Sequence, residues 1–483
     1  MRRTDRRGCI ENTGSQALQS ARAIRSHIWN SVGAIKIILY FLVLAPILLG
    51  QAANASNVTI VHAGWLLAKP GEAPVERQSI VIENGRISDV SEGFIDGGNA
   101  HIVDLSDAFV LPGLIDSHVH LASAPSPGEI GGAMSRSEAD YALTAAYHAQ
   151  IALQAGFTTV VDLGSVGDPG HESAIFGVRD AVRAGKLDGP RVLAAGTPIA
   201  ATGLSRSPAY RIEVATTIDM RSVCNGADDC RRAVRHQVKR GSDIIAFFNT
   251  GSLLSQNPVA QAMSDEEMRA IVETAHALGR KVIADGHHAA GIAAALRSGA
   301  DIIDSAHLYD DKTFELFGAD QFLQSHIYGV VQAVGETPES LHDGLWGWLP
   351  GSILLRLQEI RMRPFAMMMA YESGITNLAY ASDAGVYHWG DNAGDFVEFV
   401  NRGMPAMDAI RTATVSAARM LGLQEQLGSI EPGKKADIIA TARNPLDDIS
   451  ALMDVRFVMR DGNIYRHDNA YGVRSPRSEG SKP

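Results

Sequence analysis

The segment LPGLIDSHVH places His118 and His120 two positions apart near the end of an apolar run. Residues two apart in a β-strand project from the same face, so both imidazoles can reach one metal ion. An isolated His-x-His pair is weak evidence for a metal site. It carries more weight at the carboxyl end of a strand in a parallel β/α array, where active sites of such folds form. Whether the pair can bind a metal therefore depends on the elements that position it.

Two patterns surround this histidine pair. Residues 57–108, and again the segments after residue 426, alternate apolar and polar positions between Pro, Gly and Asn, which is typical of antiparallel β-structure. From Leu111 onward, strand-like runs are each followed by a helix-length amphipathic stretch. The candidate strands end near Asp116, Asp162, Ala195, Phe248, Asp285, Ser305, Val334 and Ser382. We predict an α/β fold, a (β/α)8 TIM-like barrel inserted in a small β-sandwich built from both chain ends.

The predicted organisation has four parts. Residues 1–55 are a leader with a signal peptide, 56–110 plus 426–468 the β-sandwich, 111–425 the barrel, and 469–483 a disordered tail rich in Ser, Gly, Pro and Arg. The 483-residue chain has 43 Lys and Arg against 54 Asp and Glu, a net charge of −11. This acidic balance argues against nucleic acid as a partner, because phosphate binding needs a concentrated basic surface.

The leader contains an apolar run at 37–49, which is short for a membrane span and matches the core of a signal peptide. Ala53-Asn54-Ala55 supplies the small residues that signal peptidase reads, so we expect cleavage after Ala55 and a periplasmic or secreted protein. The alternative is an uncleaved anchor, and either would be the chain's only association with a membrane.

Two cysteines remain beyond the leader. Cys224 and Cys230 are six positions apart in a segment rich in Gly and Asp. An exported protein can join them in a local disulfide, and two neighbouring free thiols are the alternative.

Taken together, several segments of the chain resemble the metal-dependent amidohydrolase superfamily, in its imidazolonepropionase-like and Xaa-Pro dipeptidase-like branch. The resemblance rests on LPGLIDSHVHL (111–121), GFTTVVDLG (156–164), GPRVLAAGTPIAATG (189–203), GSDIIAFFNTGS (241–252), AALRSGADIID (294–304), ASDAG (381–385), SAARMLGL (416–423) and GSIEPGKKADII (428–439). It implies a TIM-like barrel with a β-sandwich, hydrolysis of C–N bonds and one or two divalent metals.

Three residues keep the pattern that the resemblance implies. His118 and His120 match the ligands of the first barrel strand, and Asp383 matches an aspartate that binds metal and moves the proton. At the end of strand four the branch often carries a lysine whose carbamylated form bridges two metals, whereas this chain has Ala246. We therefore expect one ion, zinc with iron or manganese as alternatives.

The sequence at the ends of barrel strands five and six departs from the family's histidine pattern. The family's histidine positions fall on Asp285 and Ser305, while His287 and His307 each lie two residues further on. A shift of two keeps a side chain on the same face of a strand, so we predict His287 and His307 as further ligands. One alternative is that Asp285 is the ligand and His287 binds substrate. Another is that the barrel has lost its metal.

We expect a hydrolase that cleaves an amide or peptide bond of a small molecule with metal-activated water, with Asp383 as the proton shuttle. The alternative is a catalytically inactive barrel that binds a small molecule or a partner. A homo-oligomer is common among relatives of this kind. His388, with Tyr387 and Trp389, is a candidate for either substrate contact or loop packing. His148 and His276 lie in predicted helices and are expected to be surface or packing residues instead of ligands.

Overall fold

The computed structural model describes residues 58–124, 136–164, 171–202, 204, 222–254 and 259–468. The predicted signal peptide, its cleavage site after Ala55 and the predicted tail at 469–483 lie outside the described residues. Within the described part of the chain, no helix combines the length and the apolar character needed to cross a membrane.

Strands from both ends of the chain form one seven-stranded sheet in the order β15-β14-β13-β4-β1-β2-β3. Its alternating sequences place apolar side chains such as Val61, Ile80 and Val103 in a common buried cluster. β4 pairs antiparallel with β13, with Ile438 opposite Pro112, so the predicted pairing of the two chain ends is confirmed. The strands are β1 (Val58–Leu66), β2 (Val75–Glu83), β3 (Arg86–Glu92), β4 (His101–Pro112), β13 (Ile438–Thr441), β14 (Val455–Arg460) and β15 (Asn463–His467).

The segment between these ends supplies eight parallel strands in two sheets, of order β5-β6-β7 and β12-β11-β10-β9-β8. Isolated bridges connect the two sheets, from Val119 to Ala384 and from Ile199 to Phe247. The α/β fold with parallel strands is therefore confirmed. The strands are β5 (Leu114–Val119), β6 (Phe157–Asp162), β7 (Arg191–Ala194), β8 (Ile245–Phe248), β9 (Val282–His288), β10 (Ile302–Leu308), β11 (Phe322–Gln324) and β12 (Leu378–Ala379).

Helices alternate with these strands. The α-helices are α1 (Glu138–Gln154), α2 (His171–Arg183), α3 (Ala227–Arg240), α4 (Asp265–Ala277), α5 (Ala289–Arg297), α6 (Tyr328–Ala333), α7 (Gly351–Met362), α8 (Ala366–Glu372), α9 (Gly394–Asn401), α10 (Ala406–Arg411) and α11 (Ala417–Met420). Local sequence sets where several of them begin: Ser137 and Ser264 each form a reciprocal capping box with an acidic residue three positions later. Thr412–Ser416 joins α10 to α11 as a short π-helical segment.

The predicted end of the seventh strand at Val334 is wrong. The strand is β11, which ends at Gln324, and Val334 follows helix α6. Periodicity alone does not distinguish a strand from a buried helix in a short apolar run such as YGVVQAV. The other predicted strand ends lie within a few residues of the observed ones.

Cys224 and Cys230 are joined in a disulfide just before and within the first turn of α3. Both cysteines are fully buried. Of the two possibilities that the sequence left open, the structure has the local disulfide.

Candidate active site

Three predicted site residues converge at the carboxyl ends of β5 and β12. The Nε2 atoms of His118 and His120 lie 3.1 Å apart. Asp383 Oδ1 lies 3.3 Å from His118 Nε2 and 3.1 Å from His120 Nε2. Two imidazole nitrogens and one carboxylate oxygen are thus close enough together to hold a metal ion.

A buried carboxylate below the site ties the two strand ends together. Asp116 Oδ1 accepts hydrogen bonds from the backbone N–H of Ser382 at 3.0 Å and of His118 at 3.3 Å. Its Oδ2 accepts from Asn392 Nδ2 at 3.1 Å, and burial raises the pKa of Asp116 to about 6. Asp383 has a positive φ of 57° and its N–H donates to the carbonyl of His118 at 2.9 Å. This network sets the position of Asp383 relative to the histidine pair.

The outer nitrogen of each histidine also has a partner, which turns its Nε2 toward the shared point. His120 Nδ1 contacts the carbonyl oxygen of Gly164. His118 Nδ1 lies 2.6 Å from Asp304 Oδ2, and Asp304 is completely buried. Burial lowers the pKa of His118, but Asp304 and Asp383 outweigh it and raise that pKa to about 10. Burial opposes ionisation of Asp383 as well, but His118 and His326 hold the pKa of its carboxyl well below the usual range.

His326, which the sequence analysis did not single out, follows β11 and faces the other oxygen of Asp383. Its Nε2 lies 3.3 Å from Asp383 Oδ2, while its Nδ1 is buried without a hydrogen-bond partner among the described residues. With His118 and Asp304 it forms a second group of donor atoms close enough to hold an ion. The signal that could have identified it is its place just after β11, which the wrong strand end at Val334 concealed.

His287 and His307 lie in the same cavity but face each other. Their Nδ1 atoms are 3.2 Å apart, and His307 Nε2 lies 3.0 Å from the carbonyl oxygen of His326. Burial, together with the nearby His326, lowers the pKa of His287 to about 3, so the ring is neutral. Among the residues that the structure describes, the groups of three or more potential ligands include neither of these two histidines.

The backbone of β10 is irregular where the sequence departs from the family. Ser305 and Ala306 have positive φ values of 72° and 53°, and the pairing with β9 shifts register between Ser305 and Leu308. Ser305 Oγ donates to Asp285 Oδ1 at 2.9 Å, and burial followed by repulsion from Asp304 raises the pKa of Asp285 to about 7. Such irregularities concentrate next to active sites, where they redirect side chains.

A cavity of about 240 Å³ opens onto these groups. Ala246 is buried in β8 and offers no ligand atom. The polar part of the cavity carries the histidines and carboxylates, and most of the remaining wall is apolar. The lining residues are His118, His120, Leu204, Phe248, Thr250, Ser252, Leu253, Leu254, Asp285, His287, Ser305, His307, His326, Gly329, Val330, Ala333, Trp346, Leu357, Asp383 and Val386.

The other histidines considered from the sequence lie away from this cavity. His148 is buried in α1, where its Nδ1 lies 2.7 Å from the carbonyl of Leu121 and its ring stacks on Trp389. His276 in α4 forms an ion pair with Asp301 at 2.8 Å. His388 lines a separate cavity of about 510 Å³, together with Tyr387. His148 is thus a packing residue and His276 a surface residue, and both lie in helices away from the cavity, as predicted.

The conserved features of a known family cover most of the chain. The sequence model of the Amidohydrolase family matches residues 109–336 and 363–465. The chain belongs to this family. It is accordingly a hydrolase acting on carbon–nitrogen bonds, as the sequence resemblance predicted.

Among curated proteins, ochratoxinase from Aspergillus niger is 26% identical over 446 residues, which cover 86% of this chain and 88% of that one. Among solved structures, a Xaa-Pro dipeptidase with methionine bound in its active site is 32% identical, with a TM-score of 0.74 over 85% of this chain and 100% of that one. The structure of A. niger ochratoxinase has a TM-score of 0.70 at 24% identity, over 86% of this chain and 96% of that one.

Proposed function

We propose that this protein is an exported, metal-dependent amidohydrolase that cleaves an amide or peptide bond of a small molecule. The observation that carries the proposal is the convergence of His118, His120 and Asp383 within hydrogen-bonding distance of one another at the strand ends. The names of the similar proteins, a dipeptidase and an ochratoxinase, support small amide or peptide substrates.

The donor set fits a divalent cation. Nitrogen and carboxylate oxygen are both ligand types that zinc accepts, with iron and manganese as alternatives. Neighbouring groups keep the pKa values of Asp304 and Asp383 low despite their burial, so both carboxylates are charged. His118 and His326 provide the charge that compensates these carboxylates. A bound divalent cation would take over this compensation, because the described cavity lining contains no Lys or Arg. We propose one ion per chain, because the methyl group of Ala246 cannot bridge a second one to the first.

When bound, such an ion would lower the pKa of a water molecule and polarise the scissile carbonyl. Asp383 takes the proton of the attacking water on Oδ2, the oxygen that faces His326. It then delivers that proton to the amide nitrogen as the C–N bond breaks, which yields a carboxylic acid and an amine. His326 acts as a positioning residue, because its Nε2 holds the carboxylate in the orientation that this transfer needs.

We propose that His287 and His307, predicted from the sequence as further ligands, instead contact the substrate. Each Nδ1 faces the other ring, and His307 Nε2 is paired with a backbone carbonyl. The sequence left open an alternative in which Asp285 is the ligand and His287 binds substrate. This arrangement supports the second half of that alternative, which we extend to His307, whereas Asp285 is paired with Ser305.

For the whole molecule we propose a (β/α)8 barrel formed by the two parallel sheets and inserted in a sandwich domain built on the seven-stranded sheet. The bridges between β5 and the segment after β12, and between β8 and the segment after β7, support closure. We further propose export to the periplasm or medium with cleavage after Ala55. The disulfide of Cys224 and Cys230 supports an oxidising compartment.

Hydrolysis of a panel of amides and dipeptides, with and without chelator, tests the proposed activity. We expect turnover that chelation removes and that added zinc, iron or manganese restores. Hydrolysis that persists in the demetallated protein would contradict metal dependence. Ligand binding without turnover at any metal loading would instead support the inactive barrel considered from the sequence.

A further inference from the structure

Besides the histidines and carboxylates, the cavity is lined by large apolar side chains that form its apolar wall, among them Phe248, Leu253, Val330, Trp346 and Leu357. Trp346 and Leu357 belong to residues 337–362, the segment between the two matched parts of the family's sequence model. Part of the substrate wall is therefore made by a segment that the shared family pattern does not include.

This segment is held against α6 and the loop after β12 by hydrogen bonds. The N–H groups of Leu345 and Trp346 donate to the carbonyls of Gln332 at 2.9 Å and Ala333 at 3.0 Å. The indole Nε1 of Trp346 donates to the carbonyl of Val386 at 2.7 Å. Because its single polar atom has a partner, the indole can offer the cavity an apolar surface whose position is already fixed.

Arg361, near the carboxyl end of the segment, is also held by contacts within the protein. Its Nη1 donates to the carbonyls of Val331 at 2.9 Å and Val334 at 3.0 Å, and its Nη2 lies 3.2 Å from Glu336. Arg361 is not among the residues that line the catalytic cavity. Arg356, the other arginine of the segment, donates through Nη1 to the carbonyl of Leu253 at 2.5 Å and is also absent from the described cavity lining. Both arginines therefore hold the wall by contacts within the protein.

Apart from the histidines, the titratable side chains that line the described cavity are carboxyl groups. Asp285 and Asp383 line it, Asp304 lies directly behind His118, and the described lining has neither Lys nor Arg. A substrate carboxylate placed against the apolar wall would lose its hydration without gaining a cationic partner.

We propose that residues 337–362 set the substrate class: a neutral amide whose group on the wall is aromatic or branched apolar and carries no carboxylate. This inference rests on the proposed amidohydrolase function. It narrows that function, because a free dipeptide carries a carboxylate, whereas the anilide of a small acid does not. Hydrolysis adds water across the C–N bond and releases the acid and the apolar amine.

A matched pair of substrates tests the charge preference. 4-Acetamidobenzamide and 4-acetamidobenzoate share the acetyl group, the scissile bond and nearly the same shape, but only the second carries a carboxylate. We expect kcat/KM for release of the arylamine to be at least about tenfold higher for the neutral compound, since burying an unpaired charge is costly. Equal rates, or preference for the benzoate, would overturn the inference.

Direct binding separates this inference from the proposed function. Calorimetry on the wild-type protein would compare 4-aminobenzamide with 4-aminobenzoate, the two arylamine products, so no turnover is needed. We expect the neutral product to bind more tightly whether or not the protein hydrolyses either substrate. Tighter binding of the benzoate would overturn the charge preference, whereas selective binding without turnover would count against the hydrolase alone.

Variants of two neighbouring tryptophans test the wall itself. Trp346→Ala should raise KM for 4-acetamidobenzamide with a smaller change in kcat, because it removes packing without touching the reacting groups. Trp348, whose ring lies 6.4 Å from that of Trp346 and does not line the cavity, provides the matched control. An equal rise in KM for Trp348→Ala would contradict a specific role of Trp346.

Leu254 is partly buried and lines the cavity. A positive charge introduced there tests whether adding a cation to the wall reverses the preference for neutral substrates. Leu254→Lys should raise kcat/KM for 4-acetamidobenzoate relative to the neutral amide, whereas Leu254→Met, which lengthens the chain without charge, should not. An unchanged ratio in both variants would show that charge at this wall does not select the substrate.

Discussion

The two sides of the cavity are built from the same residue types but organised differently. At the ends of β5 and β12, His118, His120 and Asp383 turn their donor atoms toward one point. At the ends of β9 and β10, His287 and His307 pair with each other and Asp285 pairs with Ser305.

The difference lies in the surrounding groups more than in the donor atoms. His118 and His120 each have an outer partner that directs Nε2 inward, Asp304 and the Gly164 carbonyl. On the other side, the outer atom of His307 is held by the His326 carbonyl, which leaves its Nδ1 facing a second histidine. A count of histidines would make the two sides equivalent, whereas their polar contacts favour the first side for the metal binding that we propose.

The largest effect is expected from His118→Ala. It removes a proposed ligand and leaves Asp304 and Asp383 without their shared partner, so we expect loss of bound metal and of all measurable hydrolysis. Loss of one member of a buried ion pair should also lower the free energy of unfolding by roughly 3–5 kcal/mol. Elemental analysis, kinetics and denaturant unfolding measure the three effects. His276→Ala, in the half-exposed pair with Asp301, is the control and should retain metal and activity.

Asp383→Asn should have the next largest effect. The amide keeps the shape of the side chain but cannot carry the proton, so kcat should fall by roughly 10²- to 10⁴-fold. Steady-state kinetics on metal-loaded protein measure this change. Asp408→Asn, at a carboxylate that binds Tyr371 and Arg411 away from the cavity, is the matched control. Near-normal kcat in Asp383→Asn would show that Asp383 does not transfer the proton.

Asp304→Asn and Asp285→Asn compare buried carboxylates on the two sides. Asp304 orients His118, so its loss should weaken metal binding by roughly 10- to 100-fold. Asp285 pairs with Ser305 and should leave metal affinity nearly unchanged. Competition with a chromogenic chelator measures both affinities. The opposite ranking would move the ion toward β9 and β10 and favour Asp285 as a ligand.

The smallest effect is expected from His287→Gln. If this residue contacts substrate, removing one hydrogen-bonding group should lower kcat/KM by roughly 2- to 12-fold while the metal remains bound. Parallel measurement of kinetics and metal content decides this point. Loss of the metal in this variant would restore the ligand role that the sequence analysis predicted for His287.

Local sequence predicted the first side of the site but only part of the second. His118, His120 and Asp383 are encoded in short motifs at strand ends, so correct strands were enough to place them together. The position of His307 follows positive φ values at Ser305 and Ala306, and both His287 and His307 are held by contacts between distant segments, which periodicity does not report.

Two further residues were missed for different reasons. His326 was hidden because the apolar run after it forms helix α6 instead of continuing a strand. Asp304 lies in the apolar run of β10, where its pairing with His118 arises from strands that are far apart in sequence. The alternation of strands and helices could be predicted because strands and helices have different hydrophobic periods. Contacts between elements leave no such periodic pattern in the sequence.

The most direct test of this account is the metal content of wild-type protein, His118→Ala and His287→Gln, purified from Ser56 onward without chelator or metal-affinity resin. Elemental mass spectrometry should find one ion per chain in wild-type protein, none in His118→Ala and one in His287→Gln. Two tightly bound ions in wild-type protein, none after reconstitution, or metal that survives in His118→Ala would contradict it.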